Sequence, residues 1–169
     1  MQREQVSIPK IILYILLLAV VFALQSSLSR SFVVRGFQLD LLPCFVAAAA
    51  LLDGPAEGVI MGLAVGVFYD VGFIGVDGIY PIFFLIFGLI AGSMSRLTLS
   101  RNYLSMVLLT GAEMILLGLA RFFAYLLPMK GASFPLVLQQ VLGGALLSCI
   151  FCFIVYWPMS KISRRFDTR

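Results

Sequence analysis

Long uncharged apolar runs constrain the fold of this chain more than any other feature of its sequence. The stretch from Ile11 to Ser29 contains no charged residue, and comparable runs recur along the rest of the chain. A helix needs about 20 such residues to cross the roughly 30 Å hydrocarbon core of a bilayer. Strands of a membrane barrel would instead alternate apolar and polar residues. These continuous runs therefore predict membrane-spanning helices.

Composition leads to the same class of protein. Hydrophobic residues make up 62% of the 169 residues and charged residues 12%, whereas a soluble domain has about 45–50% and about 25%. We therefore predict an all-α integral membrane protein with a single polytopic domain over residues 1–169. Its predicted six-transmembrane-helix bundle has spans at 10–28, 37–52, 55–74, 79–95, 103–127 and 134–157.

Basic residues lie mainly at the ends of these segments, so the net charge of +4 indicates topology and not binding to nucleic acid. Six spans place both termini on one side of the membrane. If that side is the cytoplasm, the inner segments hold eight Lys and Arg residues and the outer loops hold four. This excess predicts cytoplasmic termini. The topology is unchanged if the second and third segments only dip into the membrane and return.

Glycines recur every four residues in two of the segments. Gly58, Gly62 and Gly66 share one face of the third segment, and Gly88 and Gly92 repeat the spacing in the fourth. Small residues at this spacing let two helix backbones approach closely in lipid. The pattern leaves two roles open, packing among this protein's own helices and an interface with a partner, and the two can coexist.

Asp70 occupies the next position in the glycine row. Three roles are open for its carboxylate: it caps the span and faces headgroup water, it locks the turn that follows, or it binds an Arg or Lys of a partner. Within this chain, Arg35 is the nearest candidate for that pairing.

Four further polar residues lie in apolar surroundings and are predicted to be buried. They are Asp40, Glu113, Gln139 and Gln140. Glu113 lies in the middle of its segment, where its side chain cannot reach water, so we expect it to be protonated or paired, with Gln139 or Gln140 as candidates. A structural hydrogen bond and a role in transport or coupling are both open.

No motif of a catalytic, metal or cofactor site is found. The chain has no histidine and lacks the G-x-S-x-G, P-loop lysine and H-E-x-x-H patterns. Cys44, Cys149 and Cys152 lie inside apolar runs, where cysteine acts as a small packing residue. We therefore predict a protein that is not an enzyme, with no catalytic residue, no metal and no cofactor.

The stretch from Asp40 to Ser95 resembles the rod shape-determining protein MreD family. It carries "DLLP", the turn "DGPAEG", a glycine-spaced helix that ends in Gly-x-x-x-Asp, and a following segment with Gly-x-x-x-Gly. Pro43, directly after the two leucines, departs from the family pattern. The matching positions are Asp40, Leu41, Leu42, Gly58, Gly62, Gly66, Asp70, Gly75, Gly88 and Gly92.

The resemblance implies a non-catalytic scaffold of the bacterial elongation complex, located in the cytoplasmic membrane. Such a scaffold binds an MreC-like single-span protein. It works indirectly with MreB, RodA and an elongation-specific penicillin-binding protein to maintain rod shape and direct side-wall peptidoglycan synthesis.

The family is also similar in plan to the substrate-binding components of energy-coupling-factor vitamin transporters, which gives an alternative function. Ala19 and Ala23 in the first segment resemble the small-residue contact that such components use for their transporter partner. A vitamin site needs polar and aromatic groups that converge on a cavity. The short outer loops here offer few of them, which favours the scaffold.

Overall fold

The computed structural model describes residues 8–31, 40–72, 78–97, 100–122 and 134–167. These ranges form helices and contain no strand, so the all-α prediction is confirmed for the described part of the chain. The helices are α1 (Ile8–Ser31), α2 (Leu42–Asp53), α3 (Pro55–Gly72), α4 (Ile79–Leu97), α5 (Tyr103–Arg121), α6 (Phe134–Phe151) and α7 (Phe153–Asp167).

Three of the described helices, α1, α4 and α5, are individually long and apolar enough to cross a membrane. A fourth span is present if the bent pair α6 and α7 crosses as one unit. The two helices meet at Cys152 and are bent by 47°. The predicted sixth span, 134–157, thus consists of two helices, the second of which continues past Trp157 to Asp167.

The central helix of the described bundle is α2. Every residue from Leu42 to Leu52 is buried, and the helix contacts α1, α3, α4, α5 and α7. Its 12 residues extend only about 18 Å, less than a bilayer core. The run Ala47–Ala50 keeps its surface narrow, so several helices can pack around it. Residues 37–39 of the predicted second span lie outside the described ranges, as do 73–74 of the third and 123–127 of the fifth.

The turn between α2 and α3 is the tight hairpin that "DGPAEG" predicts. Gly54 adopts a positive φ of 102°, which glycine tolerates without the steric penalty of a side chain. Its N–H donates to the carbonyl oxygen of Ala50 at 3.2 Å, which ends α2. Pro55 then begins α3, where its missing N–H leaves no helical hydrogen bond unmade. This hairpin fixes α3 beside α2 and leaves the glycine face of α3 available to α4.

Candidate functional site

The glycine row of α3 lies directly against the backbone of α4. A Cβ atom added at Gly58 would lie 2.6 Å from the carbonyl oxygen of Gly88. A Cβ at Gly62 would overlap the backbone of Phe84, and one at Gly66 would overlap Pro81. Since the obstructing atoms are backbone atoms, no side-chain rotation can make room for a larger residue.

The two glycines of α4 complete the same contact from the other side. A Cβ at Gly88 would overlap the backbone of Gly58, and one at Gly92 would overlap Pro55. The repeats in the third and fourth segments therefore face each other along one interface. Of the two alternatives left open by the sequence, this face is occupied by internal packing, and a partner helix would need another surface.

Asp70 ties the end of α3 to the start of α4. Its Oδ2 accepts a hydrogen bond of 2.7 Å from the N–H of Gly78, which has a positive φ of 91°. This hydrogen bond supports the second of the three roles considered, in which Asp70 locks the turn that follows α3. Arg35 and Gly75, which entered the sequence predictions for this region, lie outside the described residues.

Arg121, at the end of α5, reaches the same end of the α3–α4 pair. Its guanidinium carbon lies 5.2 Å from the ring centre of Tyr69 and 5.4 Å from that of Tyr80. The two rings are 4.9 Å apart, so the cation lies over the faces of a tyrosine pair. Sequence reasoning counted Arg121 only among the four basic residues of the outer loops and predicted no contact between it and the two tyrosines. The sequence signal for this contact was the pair of tyrosines, Tyr69 near the end of α3 and Tyr80 in the first turn of α4.

Asp40 is buried, as predicted, and it joins three helices at the start of α2. The amide nitrogen of Gln25 donates to Asp40 Oδ1 at 3.0 Å, while the N–H of Leu41 donates to Gln25 Oε1 at 2.8 Å. The N–H of Asp40 donates to Ser148 Oγ at 3.1 Å. Side chains from α1 and α6 therefore bind N–H groups that a helix start leaves without helical partners. Sequence reasoning missed Gln25, although an amide within an apolar run was the signal.

Glu113 is fully buried on α5, but its predicted partners do not reach it. Gln139 and Gln140 are both exposed on α6, so the prediction that they are buried and pair with Glu113 is wrong. Neither carboxyl oxygen of Glu113 has a hydrogen-bond partner among the described residues. A charged acid at the centre of a membrane helix is unfavourable by about 2.5–3.5 kcal/mol on insertion scales, so this position is energetically unusual.

Asp53 organises a cluster at the opposite end of α2. Its Oδ1 lies 2.6 Å from Lys10 Nζ, and its Oδ2 accepts a hydrogen bond of 2.6 Å from the hydroxyl of Tyr14. The hydroxyl of Ser163 also donates to Oδ1. This cluster joins the start of α1, the α2–α3 turn and the end of α7. Sequence reasoning missed it, although Lys10 and Asp53 have opposite charges at neighbouring segment ends.

The cysteines pack as small residues inside the described bundle, where all three are free thiols. Cys44 and Cys152 are buried, and Cys152 Sγ lies 3.5 Å from the hydroxyl of Thr110. Cys149 Sγ contacts the carbonyl oxygen of Val107. Within the described ranges, no group of three or more His, Cys, Asp or Glu residues is arranged to hold a metal ion.

No family model matches this chain, and no curated protein and no solved structure matches it either. The class of protein therefore rests on the sequence and the structure. In the described residues it is an all-helical protein, and three or four of its helices are apolar enough to cross a membrane. These properties are consistent with a multi-pass membrane protein.

Proposed function

We propose that the protein is a non-catalytic membrane scaffold that holds an MreC-like single-span partner in the bacterial elongation complex. The observation that carries the proposal is the α3–α4 unit. Gly58, Gly62, Gly66, Gly88 and Gly92 lie along one backbone contact, and Asp70 closes the same unit at Gly78. These five glycines and Asp70 therefore hold α3 and α4 together in one helical hairpin. Such a unit suits a scaffold, which has to present fixed surfaces to its partners.

The partner helix is assigned to the outward face of α1. Because α4 covers the glycine row, an incoming helix needs another surface with small residues. Ala19 and Ala23, one helical turn apart, are both exposed. Apolar Leu16 and Val20 are exposed beside them. Small residues four apart permit close backbone approach in lipid.

The proposed topology retains six spans and cytoplasmic termini. In support, the Asp53 cluster brings Lys10 and Ser163 to the α2–α3 turn, so the beginning of α1 and the end of α7 lie at one end of the described bundle. Reporter fusions after Arg101 and after Arg169 should both report the cytoplasm. An external signal at either position would contradict this topology.

Co-purification in mild detergent tests the scaffold function. The double substitution Ala19→Leu/Ala23→Leu should abolish capture of the MreC-like partner at normal abundance, and cells that lack the protein should change from rods to spheres. Ala112→Leu is the matched control, since Ala112 is exposed on α5. Equal loss of the partner in the control would contradict the assignment to α1.

The same exposed pair on α1 also suits the alternative, a substrate-binding component of an energy-coupling-factor transporter. The two functions differ in what is captured. A transporter ATPase module together with a stoichiometric vitamin would replace the scaffold proposal, whereas the MreC-like protein without a vitamin would support it.

A further inference from the structure

A groove with basic walls opens between α1 and α7, close to the Asp53 cluster. Its volume is about 500 Å³, within the range of small-molecule sites. All three charged residues among the described lining residues are basic, and the other three are apolar. The lining consists of Leu13, Lys161, Ile162, Arg164, Arg165 and Phe166.

The α7 side of the groove is amphipathic. Val155, Met159 and Ser163 are buried, whereas Lys161, Arg164 and Arg165 are exposed. The neighbouring Trp157 is 63% exposed, and Lys161 Nζ lies 3.5 Å from the centre of its ring. Exposed tryptophan and basic residues on one end of an amphipathic helix are typical of a membrane–water interface.

Lys10 is close to this region but does not contribute charge to the groove. Its ammonium group is paired with Asp53 at 2.6 Å, and the carboxylate is also held by Tyr14 and Ser163. Asp53 is thus occupied away from the groove. The basic residues that line the groove all lie on α7.

An apolar strip on α1 adjoins the groove. Ile12 and Leu16 are 57% and 61% exposed, and Val20 continues the same outward surface one turn further along the helix. A free inorganic anion would need only the basic wall. A basic wall next to a long apolar strip matches a molecule that has an anionic head and acyl chains.

We propose that the α1–α7 groove binds one anionic phospholipid, with its phosphate against Arg164 and Arg165 and an acyl chain along Ile12 and Leu16. Guanidinium groups suit this role because they donate two parallel hydrogen bonds to phosphate oxygens. The acyl-chain strip shares Leu16 with the α1 face assigned to the partner helix, whereas the phosphate contact lies on α7 and does not depend on the scaffold function.

Native mass spectrometry of the full-length protein in a neutral detergent tests the site, with dioctanoyl phosphatidylglycerol as the titrated lipid. Arg164→Gln/Arg165→Gln should weaken its binding about 25-fold, or about fivefold for each charge removed near the phosphate. The matched control is Arg96→Gln/Arg101→Gln, which removes the same charge at exposed positions around the α4–α5 connection. The control should bind as the unsubstituted protein does, and dioctanoyl phosphatidylcholine should bind at least tenfold more weakly than phosphatidylglycerol.

Three results would overturn the proposal. Equal weakening in both double variants would mean that overall surface charge attracts the lipid. Equal binding of phosphatidylcholine would mean that the site does not recognise the anionic headgroup. Full displacement by millimolar inorganic phosphate would indicate a free-anion site. If the double variant does not elute as a folded protein in size-exclusion chromatography, the single variants Arg164→Gln and Arg165→Gln decide, each with an expected fivefold loss.

Discussion

The carboxylate of Asp70 and the backbone N–H of Gly78 are joined by a hydrogen bond of 2.7 Å. The bond connects the last turn of α3 to the residue that precedes α4, so the loop between them is closed at its base. It explains why an acid follows three glycines in one helical row. The glycines bring α3 and α4 together, and the acid fixes where the chain turns between them.

Removal of that acceptor should destabilise the hairpin. Asp70→Ala should lower the free energy of unfolding by about 1.5–3 kcal/mol, since hydrogen bonds to charged groups contribute that much. Asp70→Asn keeps an acceptor oxygen and should lie between Asp70→Ala and the unsubstituted protein. Thermal unfolding in detergent provides the measurement, with Ser93→Ala as control because Ser93 is exposed on α4. Identical losses for Ala and Asn would assign the effect to the charge and not to the hydrogen bond.

Substitution of a glycine in the α3–α4 contact should be far more damaging than substitution elsewhere. Gly62→Ala should lower the free energy of unfolding by about 3 kcal/mol, at the upper end of overpacking effects. The reason is that its Cβ would overlap the backbone of Phe84. Gly111→Ala is the matched control, since the added Cβ meets only Cys149 Sγ at 3.8 Å, an ordinary contact. The yield of folded protein after size-exclusion chromatography reports the difference. Comparable yields for the two variants would contradict the close contact.

Single and double substitutions of the Lys10–Asp53 pair should differ strongly in how much they lower the free energy of unfolding. Asp53→Ala should lower the free energy of unfolding by about 3–5 kcal/mol because it leaves a buried cation uncompensated. The side chains of Lys10 and Asp53 are only 11% and 3% exposed. The double variant Lys10→Met/Asp53→Leu removes both charges and should recover most of that loss. Thermal unfolding of the two variants and of Lys10→Met completes the cycle. A double variant that is less stable than Asp53→Ala would indicate that the pair itself is strongly stabilising.

Features encoded by neighbouring residues were predictable from the sequence. The α2–α3 turn follows from Gly54 and Pro55, because each has a backbone preference that acts at its own position. Spacing also predicted that Gly58, Gly62 and Gly66 share a face. It did not say which helix would cover them, because that choice depends on the packing of the whole bundle.

Features that depend on helix rotation were not predictable. Gln139 and Gln140 lie in an apolar run, but the run is apolar on all sides, so the sequence carried no sign of which face would be buried. The break at Cys152 also lacks a local signal, since the proline of this region, Pro158, lies inside α7. In the Asp53 cluster, Ser163 lies 110 positions from Asp53 along the chain, and no local pattern records such a contact.

Glu113 provides a test that separates structural and functional roles. Both of its carboxyl oxygens are buried without a hydrogen-bond partner among the described residues, and an unsatisfied buried polar group costs about 1–3 kcal/mol. Glu113→Met, which has a similar length and no polar oxygen, should therefore unfold at a temperature a few degrees higher, at about 2–4 °C for each kcal/mol in a chain of this size. Glu113→Gln keeps the shape of the side chain and should change stability little. If the residue only fills space, both variants should keep partner capture and rod shape. Higher stability together with loss of either function would instead assign Glu113 to coupling, because a position at which the protein gives up stability and gains activity is a functional one.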